Sequence, residues 1–148
     1  MALQKWLSFN SDHGYQVKAN SGMSGPYSLT DMARKLLSFD SKAKIDPVFL
    51  SLALLGMHEA YDEFPRFTEI LAEPHASTLP GILRRGNFRE ISASLPSDIK
   101  KLFNLPYVLT IITSGIEHPF WKILAANDVD NFKAEAPLLL SHAPNDNV

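Results

Sequence analysis

The sequence has 148 residues, 45% of them hydrophobic and 20% charged, which suits one globular domain and excludes an intrinsically disordered chain. A formal net charge of -2 gives no basic footprint for nucleic acid or for an anionic lipid surface. The absence of cysteine excludes a disulfide framework, a thiolate nucleophile and a cysteine-based zinc site.

The opening MALQKWLSFN is not a signal peptide: Gln4 and Lys5 interrupt its apolar stretch and no small-residue cleavage site follows. The longest apolar stretch, VFLSLALLGM from Val48, is about half of the roughly 20 residues a membrane span needs. The chain as written is therefore expected to have no export signal and no membrane span, and its compartment stays open.

In chain order, residues 2–9 place Leu3, Trp6 and Leu7 on one face of an amphipathic helix. YQVKAN alternates Tyr15, Val17 and Ala19 against polar neighbours, a short strand pattern. In GMSGPY, the residues Gly22, Gly25 and Pro26 predict a loop. Ser28 with Asp31 three positions later opens a helix whose Leu29, Met32, Ala33, Leu36 and Leu37 share one stripe. Asp46-Pro47 opens the next helix, with an N-cap followed by proline at the first helical position. That helix is apolar nearly all round and is expected to be buried.

TLPGILRRGNF predicts a short helix with Arg84 and Arg85 near its negative end and Gly86 as its stop. PSDIKKLF and HPFWKILAAN predict two more, each opened at or near a proline. YVLTIIT suits a strand by its β-branched residues and a helix by its neighbours. APLLLSH closes the series as a buried strand. Two strands far apart in sequence do not make an independently stable sheet, so either they pair with further strands or the domain is helical with extended flanks.

The ends carry a resemblance. A proline-led apolar strand followed by His-x-x-x-Asp suits the carboxyl edge of a parallel sheet, where active sites of open α/β folds collect. EAPLLLSHAPNDNV resembles the acid-bearing strand and loop of α/β-hydrolases, especially bacterial and secretory lipase-like esterases. MALQKWLSF is similar to the helix after their nucleophile elbow, VKANSGMSGPYSLTDM to the next strand running into their cap, and NDVDNFKAEAP to the approach to the acid strand. The match covers residues 1–32 and 123–148; over the helical middle it is architectural.

The resemblance implies an incomplete α/β-hydrolase, with a mostly helical cap inserted between two parallel-sheet strands. Residues 1–27 would be partial hydrolase core, 28–133 the helical cap or lid, and 134–148 partial core bearing the acid. It assigns Asp146 to the acid of a catalytic triad. The implied reaction is hydrolysis of a small-molecule or lipid-like ester through an acyl-serine, with no metal or organic cofactor. Export is common in the family.

The sequence departs from the family pattern in several places. Ala143, with Pro144 after it, replaces the turn glycine, and no G-x-S-x-G elbow is present. GMSG at 22–25 is one residue short and matches the cap entrance, so Ser24 is expected in a tight turn rather than as the nucleophile. In the family a histidine follows the acid, whereas only Asn147 and Val148 follow Asp146, and His142 precedes it and belongs to the turn. A serine hydroxyl needs a hydrogen-bonded histidine to take its proton. The expectation is a hydrolase fragment holding one triad residue, inactive alone, that self-associates or pairs with complementary hydrolase segments. The alternative is a free-standing helical module that binds a protein partner without catalysis.

Other polar residues carry less. His13, His58, His75 and His118 lack ligand spacing, and His58-Glu59 has no second histidine four positions on. Asp128 and Asp130 lack the glycine and terminal glutamate of a calcium loop and are expected in a solvated acidic turn. Glu59, Asp62 and Glu63 are expected on a solvent face. Phe49, Leu50, Leu54, Met57, Phe103, Tyr107, Phe120 and Trp121 suit core packing or, by the resemblance, the lining of an acyl pocket.

Overall fold

The computed structural model describes residues 16–23, 27–38 and 46–141, together with Lys5, Gly14 and Gly25. Two strands, β1 (Asn20–Met23) and β2 (Leu138–Ser141), flank a helical block. The block contains α1 (Leu29–Leu37), α2 (Pro47–Ala60), α3 (Phe67–Ile70), α4 (His75–Arg85), α5 (Phe88–Ser94), α6 (Leu105–Ser114) and α7 (Pro119–Asn127). Single 3₁₀ turns cover Ile99–Leu102 and Gly115–Glu117.

Local chemistry starts most of these helices. An N-terminal turn leaves backbone N–H groups without intrahelical partners, and a side-chain oxygen placed just before it accepts from one of them. Ser28 accepts from the Asp31 N–H at 3.2 Å, Asp46 from the Val48 N–H at 2.7 Å, and Asp98 from the Lys100 N–H at 3.0 Å. His118 does the same through Nδ1, accepting from the Phe120 N–H at 3.2 Å. Helix α4 begins at His75, earlier than TLPGILRRGNF predicts, and carries Pro80 inside it. Gly86 ends it as expected, in an extended rather than left-handed conformation (φ -76°, ψ 153°).

YVLTIIT is helical, within α6. Its inner face, Val108 and Ile111, is almost fully buried, and an apolar groove of helices satisfies β-branched residues as well as a sheet does. The core joins Leu36 and Leu37 of α1, Val48, Leu54 and Leu55 of α2, Leu79 and Leu83 of α4, and Phe120, Trp121 and Leu124 of α7. Leu102 is completely enclosed. Each such aliphatic side chain contributes about 1.5–3 kcal/mol on burial. Helix α1 packs on α7, and α4 lies against α2, α3 and α5. An isolated antiparallel bridge between Leu71 and Phe103, with Ala72 N–H to Leu102 O at 2.9 Å and Asn104 N–H to Ile70 O at 2.8 Å, ties the middle of the block together.

The predicted burial of α2 holds for one face only. Val48, Leu50, Ser51, Leu54 and Leu55 face inward, whereas Phe49 is 67% exposed and Leu52 also faces out. The predicted stripe of α1 is correct at Ala33, Leu36 and Leu37, and Thr30 joins it inside.

The strands pair with one another in parallel, Asn20 opposite Leu138 through Met23 opposite Ser141. The first strand therefore starts later than YQVKAN and takes in residues expected to loop. Gly22 fits because a Cβ there would come 2.7 Å from the Tyr27 hydroxyl: the tyrosine fills the space a side chain would need. Strand β2 is not buried, with Leu139 65% and Leu140 52% exposed. Its apolar run suits a strand covered on both faces, and the described residues supply one neighbour.

Candidate functional site

Parallel pairing puts the carboxyl ends of β1 and β2 at the same edge of the sheet. The helical block leaves from that edge after β1, and the segment leading to Asp146 leaves from it after β2. This is the edge at which open α/β sheets bind ligands. Asp146 itself, with His142, Ser24 and the expected helix around Leu3, Trp6 and Leu7, lies outside the described residues, apart from Lys5, which is helical.

The start and end of the helical block are bonded to each other. The Thr30 N–H donates to Asp128 Oδ1 at 3.0 Å, and the Val129 N–H donates to the Tyr27 carbonyl at 2.8 Å. Lys5 Nζ donates to the carbonyls of Asp128 and Ala126. Below this junction the Asn20 N–H donates to the Pro137 carbonyl at 2.9 Å as the strands begin. Asp128 is thus buried and structural, not part of a solvated acidic turn, whereas Asp130 is exposed. The carboxylate satisfies an orphan N–H in the first turn of α1 and sits at its positive end.

At the last residue of α7, next to this junction, Asn127 Nδ2 donates to the Tyr61 hydroxyl at 2.8 Å, fixing the end of α2 against α7. The indole N–H of Trp121 donates to the Ile111 carbonyl at 2.9 Å, satisfying an acceptor in the last turn of α6. Glu59, Asp62 and Glu63 are exposed as expected, and Glu59 pairs with Arg84 at 2.9 Å.

The interior of the block holds a cavity of about 60 Å³ among Met32, Leu36, Leu54, Met57, Val108 and Leu124. Its walls are apolar, so it is dry rather than a water site, and it is too small for an acyl chain. Of the expected acyl-pocket residues, Leu50, Leu54, Met57, Phe103 and Phe120 line this cavity, so they are core.

The block's titratable groups are arranged for structure. Burial pushes the His118 imidazole below its ordinary pKa, against a smaller opposing pull from Glu69, and Nδ1 is occupied by the Phe120 N–H. Burial, with Glu69 nearby, pushes the Tyr107 phenol up. The Arg66 backbone N–H holds the Glu69 carboxyl below its usual range. His58 stands edge-on to Phe67, 5.4 Å between ring centres. The hydroxyls of Ser51, Thr78, Ser94, Thr110 and Thr113 donate to backbone carbonyls of preceding residues, and none of these sits on a histidine. Among the described residues no three His, Asp or Glu side chains are grouped to hold a metal.

A helical block inserted between two parallel strands, leaving from the carboxyl end of the first and with its beginning and end bonded to each other, is the fold of part of an α/β-hydrolase. The rice cell wall degrading esterase LipA from Xanthomonas oryzae shares this arrangement, with a TM-score of 0.73 at 21% sequence identity over 97% of this chain. A ligand-bound form of the same esterase gives a TM-score of 0.72 at 21% identity. This chain spans 39% of the length of that esterase. No protein-family profile and no curated protein sequence matches the chain.

Proposed function

We propose that the chain is the cap-bearing segment of a serine carboxylic-ester hydrolase. Residues 1–27 and 134–148 contribute core, residues 28–133 form the cap, and Asp146 is the triad acid. The observation that supports it most is the junction where Asp128 and Val129 bond back to Thr30 and Tyr27 above paired parallel strands. These bonds hold the end of the helical block beside its beginning, from where the chain runs back to enter β2 at Leu138, opposite the first residue of β1.

In this reading a serine and a histidine from polypeptide beyond these 148 residues complete the site. The histidine takes the serine proton, the serine attacks the ester carbonyl, and Asp146 holds the histidine in the right tautomer and stabilises its charge. The likeness to an esterase favours an ester substrate, with neither metal nor cofactor. The exposed Leu139 and Leu140 favour this over a free-standing interaction module, since a self-sufficient module would cover them.

The 148-residue polypeptide is expected to leave short-chain nitrophenyl esters unhydrolysed above the buffer rate. Turnover that disappears in Asp146→Asn would overturn the inactivity of the isolated chain. Sequencing the DNA on both sides of the reading frame tests the rest. A G-x-S-x-G run before it and a histidine-bearing segment after it support the proposal, and unrelated flanks count against it.

A further inference from the structure

The outer side of α6 carries Leu105, Leu109 and Ile112, all exposed, and a fourth exposed aliphatic, Ile116, follows the turn at Gly115. Gly115 has φ +56°, a backbone that favours glycine, and Ile116 comes round to line the same surface groove as Ile112. The four side chains lie at steps of four, three and four residues. That alternation is the seam of a coiled coil, in which each side chain enters a hole formed by four residues of a facing helix. On the inner side of α6, Val108 and Ile111 are buried in the block. The helix is therefore apolar on two sides, and the described residues cover one of them.

The strip is complementary to itself. Its spacing reads the same from either end, so a two-fold axis between Leu109 and Ile112 sets Leu109 of each copy on Ile112 of the other, and Leu105 on Ile116. No residue from Leu105 to Ile116 is charged, so two copies meet along this length without like charges facing. The Thr110 and Thr113 hydroxyls donate back to the Pro106 and Leu109 carbonyls at 3.3 and 2.9 Å, which lets the flank lose water without stranding these donors. The ends carry opposite charges: Lys101 stands four residues before Leu105 and Glu117 directly after Ile116, both exposed. Antiparallel pairing brings Glu117 of each copy toward Lys101 of the other, whereas parallel pairing sets the two glutamates together. Glu117 also pairs with Lys122 at 3.0 Å, and a carboxylate has room for a second lysine. Four half-exposed aliphatics fall short of the about 800 Å² per partner of a standard interface, so the pairing is weak.

We propose that the outer face of α6 is the contact surface of a weak dimer of this chain, with the two α6 helices antiparallel across a two-fold axis. This goes beyond the ester-hydrolase reading and does not depend on it. That reading associates the chain through the exposed β2, and the two surfaces can be altered separately.

The test is sedimentation velocity of the 148-residue chain carrying Leu139→Ser and Leu140→Ser, which removes the apolar side chains of β2. A reversible monomer–dimer equilibrium is expected, with a dissociation constant between about 1 μM and 1 mM. Leu109→Lys should leave monomer throughout. Circular dichroism must show this variant folded like its parent, and Ile112→Lys repeats the test at a second exposed position. Disulfide trapping reads the geometry, because the chain has no cysteine of its own. An equimolar mixture of Leu109→Cys and Ile112→Cys should cross-link between the two variants in preference to within either. A chain that stays monomeric up to about 1 mM overturns the proposal and leaves the ester-hydrolase reading untouched. A dimer indifferent to both lysines, or preferential cross-linking of Leu109→Cys to itself, overturns it too. So does capture of the monomer by zwitterionic lipid vesicles that Leu109→Lys abolishes, since the face would then belong to a membrane.

Discussion

Asp128 Oδ1 accepts a hydrogen bond from the Thr30 N–H at 3.0 Å, joining residues 98 positions apart in the sequence. The bond closes the base of the helical block and caps α1 at once. Asp128→Ala would leave a buried N–H without a partner, at a cost of about 1–3 kcal/mol. Asp128→Asn keeps an acceptor and loses only the charge at the positive end of α1, about 0.3–1 kcal/mol. Thermal unfolding followed by circular dichroism should rank wild type above Asn above Ala. Equal loss in both variants would mean that charge, not the bond, is what matters.

Trp121→Phe keeps an aromatic ring in the core but removes both the N–H that Ile111 O accepts and part of the buried ring volume. The orphaned carbonyl should cost about 1–3 kcal/mol, read from the midpoint of urea unfolding at unchanged slope. A shift within error would show that the Ile111 carbonyl finds another donor.

His118 makes stability depend on mild acid. Its unfolded imidazole takes up a proton near pH 6.5, and burial holds the folded group lower. As pH falls below 6.5 the unfolded chain binds the proton first, so stability declines on acidification and rises with pH. Protonated Nδ1 also cannot accept from the Phe120 N–H, and a positive charge at the start of α7 opposes the helix dipole. The facing groups are Glu69 and Arg66 by α3, Tyr107 of α6, and the neighbouring Glu117–Lys122 pair. Glu69 acts in a separate window: its pKa is depressed, so its contribution is present above 4.5 and lost as pH falls further. Denaturant midpoints in His118→Asn, which keeps a capping acceptor, should lose the slope between pH 4.5 and 6.5 and retain the loss below it.

Leu139 and Leu140 should make the polypeptide bind a hydrophobic dye while natively folded. Replacing both by serine should reduce that fluorescence and cost little stability, within about 0.5 kcal/mol at each exposed position. Unchanged fluorescence would place the dye on α6 instead.

Ser28 and Asp46 could be read as helix starts from sequence because a cap and its N–H lie within three positions of each other. The parallel relation of β1 to β2 was legible only through the resemblance at the two ends, since the strands share no local signal. Asp146 is assigned by that match alone, and it lies outside the described residues.

Tertiary structure decided everything whose partner is distant. Asp128 reads as a surface turn until Thr30 arrives from the other end of the block. YVLTIIT became helix because its β-branched residues pack between helices, and composition alone cannot choose between two apolar surroundings. Phe49, Leu139 and Leu140 look like core residues, yet burial depends on what covers a face, and that is a property of neighbours in space. The sequence by itself determined where helices begin and which residues are apolar. Their partners depended on contacts whose free energy exists only once the chain has folded.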